Sequence, residues 1–167
     1  MNNLGQLSLN ALDAGQARRI VADWLGRFET ALNSRDAALL GDLFHQDCHW
    51  RDILAFTWNL TPVEGRTNVA ARLAAEQEHV GAHGFHLPPG RKPPARVKRL
   101  EVDSIEAIIG FSTAHGRGAG LVRLSAAHDG RGEMKAWLLS TTLEALDGYE
   151  EKIGDNRPTG EIGRAHV

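Results

Sequence analysis

A single cysteine, Cys48, is all that this chain of 167 residues carries. One thiol closes no internal disulfide, so a fold must be held by its core, and the residue fits a reducing cytosol. Excess charge is also lacking, with 19 basic against 21 acidic residues and a net charge of -2. That balance gives nucleic acid and anionic membranes no electrostatic reason to bind, and neither is expected as a partner. No apolar run approaches the ~20 residues that span a bilayer. The opening, MNNLGQLSLNALDAG, lacks the basic start and apolar stretch of a secretory signal, so the expected location is cytoplasmic. Internal repeats are missing, and so is the G-x-G-x-x-G turn of a dinucleotide site. The one glycine cluster, Gly116-Arg117-Gly118-Ala119-Gly120, has the wrong spacing and leads into a strand, which reads as a hairpin.

What is present suffices for one domain, since 42% of the residues are hydrophobic. Ile20, Val21, Trp24, Leu25, Phe28 and Leu32 recur at helical spacing and form one apolar stripe. Asp13 is placed to start that helix and Asn33-Ser34 to end it. A second, short helix follows, capped by Ser34 or Asp36, with Leu39, Leu40, Leu43 and Phe44 as its apolar face. The period then changes. Cys48, Trp50 and Asp52 alternate on one face of a strand, with His49 and Arg51 on the other. ILAFTWNL is apolar and of ambiguous type, and Glu64-Gly65-Arg66 reads as a turn. Thr67 can cap a third helix over 68–79, packed through Val69, Ala70, Leu73 and Ala74.

The stretch 81–94 is rich in Gly, Pro and His and is expected to be an exposed loop. Strands are predicted over 95–102, 105–114, 119–128 and 133–146, with Asp129-Gly130-Arg131-Gly132 as the last hairpin turn. Helices first and a meander last predict an α+β fold, a curved antiparallel sheet wrapped around helices as a cone. Such a cone leaves a hollow at its wide end.

That order, together with LFHQDCHWRD, resembles the nuclear transport factor 2-like (SnoaL-like) superfamily of α+β rolls, over 14–146. Ketosteroid isomerases, scytalone dehydratases and polyketide cyclases share it. Its mark is a Leu-Phe pair, a short acidic stretch and a strand ending in a pocket residue, here Leu43-Phe44, Asp47 and Asp52. A narrower resemblance is carried by FHQDCHWRDILAFTWNL, VEGR, MKAWLLSTTLEALDGYEE and GDNRPTG. These segments are similar to the N-terminal segment of certain bacterial and fungal flavin-containing monooxygenases. The resemblance implies FAD and NADPH for the parent protein and no cofactor in this portion, because the flavin-binding body is not in the sequence. It divides the chain into a flexible N-terminus (1–13), the domain (14–146) and a linker toward a flavin body (147–160). Residues 161–167 resemble one reading frame of a sequencing adapter, and are expected to be an assembly artefact.

Asp52 matches the position of the proton-shuttling aspartate of the isomerases, so the resemblance makes it the candidate general base. Trp50, Trp58, Phe111, Trp137 and Phe56 are the candidate pocket lining. The isomerases also use a first-helix tyrosine; the single tyrosine here is Tyr149, in the expected linker. A structural role is equally open to Asp52, paired with Arg51, Arg66 or Arg123, or capping the next segment. His79, His83 and His86, and separately His45, Cys48 and His49, have ligand-like spacing. The first set runs into a loop and the second is split by strand alternation, so no metal is expected. Cys48 itself reads as a small buried apolar residue. Three functions remain: an accessory domain of an FAD- and NADPH-dependent monooxygenase; a free-standing isomerase, cyclase or dehydratase using Asp52; or a non-catalytic dimerisation or ligand-binding module. A small hydrophobic molecule and a second copy of the chain are the expected partners.

Overall fold

The computed structural model describes residues 13–99, 102–126 and 132–149. Helix α1 (Ala14–Ser34) starts as its sequence dictates. The Asp13 carboxylate accepts from the Gln16 backbone while the Gln16 side chain accepts from the Asp13 backbone, a reciprocal capping box. Its apolar stripe buries Val21, Trp24, Leu25, Phe28 and Leu32. Trp24 stacks on Phe28 at 4.9 Å and donates its indole N–H to the Leu43 carbonyl at 3.1 Å. Helix α2 (Ala37–Asp42) is capped by Asp36, not Ser34. It is shorter than its apolar residues suggested: Leu40 packs inward, Leu39 is 50% exposed, and Phe44 already belongs to the next strand. Helix α3 (Arg66–Val80) begins two residues before the expected start. Gly65, at φ 81°, provides the entry that a side chain would strain, and no side chain caps it.

Seven described strands form one sheet: β1 (Phe44–Ile53), β2 (Leu60–Glu64), β3 (His83–His86), β4 (Ala95–Arg99), β5 (Val102–Thr113), β6 (Gly116–Ala126) and β7 (Met134–Leu146). The order across it is β2-β1-β7-β6-β5-β3, with β4 also on β5. The sheet is mixed, which corrects the all-antiparallel expectation: β1 and β7 run parallel. The reason is topological. The chain leaves the centre through the β1–β2 hairpin, crosses by α3 to the far edge, and returns strand by strand until β7 lies beside β1.

The expected loop 81–94 contains strand β3, because side chains take up its backbone groups. The Gln77 amide accepts from the Ala82 N–H and donates to the Ala82 carbonyl. The Glu29 carboxylate accepts from the backbones of Gly84 and Phe85 at 2.8 and 2.9 Å. Phe85, the buried residue of this strand, then fixes its register against Phe28 and Phe111. Two further expectations shift by a few residues. Asp13 caps α1 and so lies inside the fold. At the other end the Asp147 N–H donates to the His115 carbonyl, and Tyr149 bridges back to Leu146. Residues 1–12, most of the 129–132 turn and 150–167, with the linker and artefact expectations placed on them, lie outside the described residues.

The glycine cluster is strand rather than turn. Ala114 and His115 make the β5–β6 turn, and Gly116, Gly118 and Gly120 lie in β6. A methyl group on Gly116 would land on the Ala145 carbonyl, and one on Gly120 on the Ser140 carbonyl. On Gly118 it would enter the Phe111 ring. The glycines therefore permit close strand approach in a bent sheet. Gly120→Ala is expected to lower stability by about 3 kcal/mol, since backbone and not a flexible side chain must give way; urea denaturation of the variant against the parent chain measures it.

Candidate functional site

The helix-facing side of the sheet is filled by an aromatic column. Trp50 meets Phe56 edge-on at 5.5 Å, and Phe56 meets Phe111 at 5.9 Å. Phe111 stacks on Phe85 at 5.0 Å, and Phe85 meets Phe28 edge-on at 5.2 Å. Trp24 and Phe44 close the column against Phe28. None of these rings is more than 9% exposed. The structure thus brings together three of the five expected lining residues, Trp50, Phe56 and Phe111, in contact with one another.

Phe56 reaches this column from the turn 54–59, and Asp52 holds the turn. The Asp52 side chain is fully buried at the end of β1. Its Oδ2 accepts from the backbone N–H groups of Phe56 and Thr57 at 3.0 and 2.8 Å, and from the Thr57 hydroxyl at 2.9 Å. Its Oδ1 accepts from the Thr141 hydroxyl at 2.6 Å. Direction is fixed there: the Trp50 indole N–H donates to the Thr141 oxygen at 3.0 Å, so the single hydroxyl hydrogen goes to Asp52. The carboxylate thus caps the segment that follows it. None of the three arginines considered as partners reaches it: Arg51 is exposed on the opposite face, Arg66 bonds Gln46, and Arg123 pairs with Glu106.

The turn is backbone-strained as well as pinned. Leu54 and Trp58, at φ 65° and 54°, occupy the left-handed region that non-glycine residues seldom adopt. A bond from the Leu54 N–H to the Asn59 carbonyl at 3.1 Å closes the loop between them. This backbone turns Trp58 outward, and its place in the lining is corrected: it is 50% exposed and lies over His115. Trp137 is corrected too. A register break in β7 between Ala136 and Leu138 removes it from the strand's alternation, and its ring rests edge-on against His49, on the face away from the helices. Thr57 and Thr141 are the site residues that the sequence reading missed. Thr57 carries a local signal, a hydroxyl close after an aspartate that ends a strand. Thr141 has none without the β1–β7 pairing that sets it opposite Asp52.

The remaining candidates scatter. Cys48 is fully buried, and burial, helped by the charge of Asp47, pushes its thiol up from 9.0 to about 11. His45 is buried with Nε2 at 2.9 Å from the Ser125 hydroxyl, while His49 faces the other way. His83 and His86 each bond a nearby backbone carbonyl through Nδ1. Among the described residues no three His, Cys, Asp or Glu side chains converge as metal ligands. A groove of about 590 Å³ lies between α1 and α2, lined by Ala22, Gly26, Thr30 and Leu39, but no residue lining it bonds Asp52. No helix of the described residues is long and apolar enough to cross a membrane.

No protein family and no curated protein matches this chain by sequence. Solved structures do match by shape. A nuclear transport factor 2-like superfamily protein from Salmonella enterica superposes with a TM-score of 0.55 at 12% identity, covering 80% of this chain and 94% of its own. A cystatin-like protein of unknown function from Nostoc punctiforme gives 0.53 at 12%, covering 75% and 90%. A nuclear transport factor 2-like protein from Novosphingobium aromaticivorans gives 0.50 at 15%, covering 83% and 92%. The fold is therefore the nuclear transport factor 2-like, cystatin-like α+β roll, and identities this low show the fold alone.

Two outcomes follow from the site. Asp52→Ala leaves buried donors without an acceptor and is expected to cost about 3 kcal/mol, with new protease cleavage within 54–59. Asp52→Asn, which keeps one acceptor oxygen, is expected to cost less, and urea midpoints with limited proteolysis rank the two. For Cys48 the folded state holds the proton more tightly than the unfolded chain. Its contribution to stability is full below pH 9.0 and is lost as pH rises toward about 11. Iodoacetamide is accordingly expected to label Cys48 at pH 8 only in denaturant, as read by mass spectrometry.

Proposed function

We propose that this domain acts as a non-catalytic module, the accessory part of an FAD- and NADPH-dependent monooxygenase, with the flavin chemistry carried by a separate body. The observation behind this reading is the commitment of Asp52. A general base must reach a substrate proton, yet this fully buried carboxylate already accepts four hydrogen bonds, from the backbone N–H groups of Phe56 and Thr57 and the hydroxyls of Thr57 and Thr141. The glycines of β6 are likewise spent on strand packing, so they offer a pyrophosphate no backbone cradle. The resemblance of FHQDCHWRDILAFTWNL and MKAWLLSTTLEALDGYEE to monooxygenase N-terminal segments supplies the class of parent protein. Pairing with a second copy belongs to the same reading. The face away from the helices carries Trp137 and Leu138 half-buried, as a surface awaiting a partner would.

The experiment is a titration of the chain with FAD and NADPH by fluorescence, beside assays on a panel of apolar ketones. The expected results are no saturable flavin binding and no turnover. Ketone turnover that Asp52→Asn abolishes while circular dichroism is unchanged would overturn the proposal in favour of an isomerase or cyclase. Flavin-dependent turnover by this chain alone would overturn it as well.

A further inference from the structure

The sheet face turned away from the helices holds a cleft that borders the aromatic column at Phe111 and that Asp52 does not line. Cross-strand register places its residues. Ser112 pairs with Arg117, Gly110 with Ala119, and His86 with Gly110, so these side chains share one face. Gly110 is covered by the His86 ring, Ala119 leaves a low floor beside it, and Pro88, Ile108, Arg91 and Glu144 are among the residues around a cavity of about 190 Å³. Its charge is uneven. Arg91 is paired with Glu144 at 3.2 Å, whereas Arg117 is exposed and has no carboxylate partner among the described residues. The His86 Nδ1 donates to the Gly84 carbonyl at 2.8 Å, since a carbonyl can only accept, and this holds the imidazole ring over Gly110 as a wall. The Ser112 hydroxyl stands half-buried beside Arg117.

We propose that this cleft binds a small organic monocarboxylate. Arg117 is the recognition residue, its guanidinium fork matching the two oxygens of a carboxylate, and Ser112 supplies a further donor. The apolar body lies on the Ala119 floor between Pro88 and Ile108, against the edge of the His86 ring that covers Gly110. One uncompensated positive charge suits a monoanion. A more highly charged anion would meet the Glu144 carboxylate, with Arg91 already paired to it and no second unpaired arginine or lysine among the described lining residues. The volume holds about six waters at ~30 Å³ each, which sets the ligand at the size of a single ring with its carboxylate.

Benzoate is the probe, titrated into isotope-labelled protein, with backbone amide shifts as the readout and benzyl alcohol as the uncharged analogue. Saturable shifts are expected at Gly110, Ser112 and Ala119, with benzyl alcohol at least about tenfold weaker, the loss of one charge-assisted contact. Arg117→Gln is expected to weaken benzoate by the same factor and leave benzyl alcohol unchanged. Ala119→Leu, which fills the floor, is expected to remove both. Arg27→Gln, on the far side of the molecule, is expected to change neither. Equal affinity for the two probes, benzoate binding indifferent to Arg117→Gln, or shifts that never saturate would each overturn the proposal. None of these outcomes bears on whether Asp52 is catalytic.

Discussion

The carboxylate of Asp52 organises the turn that follows β1. Burying a charged or polar group is costly unless its bonds are remade inside the protein, and here they are remade with two separate pieces of chain. Phe56 and Thr57 belong to the turn that follows β1, and Thr141 belongs to the last strand. Trp50 joins through the same threonine hydroxyl. The backbone strain at Leu54 and Trp58 is tolerated because this network over-determines the turn between them. The position of the Phe56 ring, and with it the continuity of the aromatic column, depends on that turn.

The Asp52 carboxylate is turned toward the backbone of its own chain. That orientation is set by donors four and five residues beyond the acid, together with the Thr141 hydroxyl across the sheet. Overall shape carries none of this information, which is why structures that superpose at 12–15% identity speak to architecture and leave chemistry to the individual side chains.

Periodicity made much of the architecture legible. The stripe through Val21, Trp24 and Phe28 and the alternation of Cys48, Trp50 and Asp52 both survive in three dimensions, because each depends on local geometry alone. What escaped the sequence was non-local. Strand β3 exists because Gln77 and Glu29, distant or helical residues, satisfy the backbone of a stretch rich in glycine and histidine. The outward turn of Trp137 comes from a bulge that breaks the two-residue period, and that of Trp58 from a left-handed backbone. Thr141 could be linked to Asp52 only through a strand pairing 89 positions apart in the chain.

That pairing has a consequence for how the chain is made. β1 stays without its central neighbour until β7 has been synthesised, since the two strands sit side by side although nearly the whole domain lies between them. On a translating ribosome, Trp50 and Phe44 would wait with one flank open for the time taken to add some ninety residues, several seconds or more at about 5–20 residues per second. Closure of such a seam is a late, high-contact-order event. A nascent chain of this design has its greatest need of chaperone shelter just before its final strand emerges.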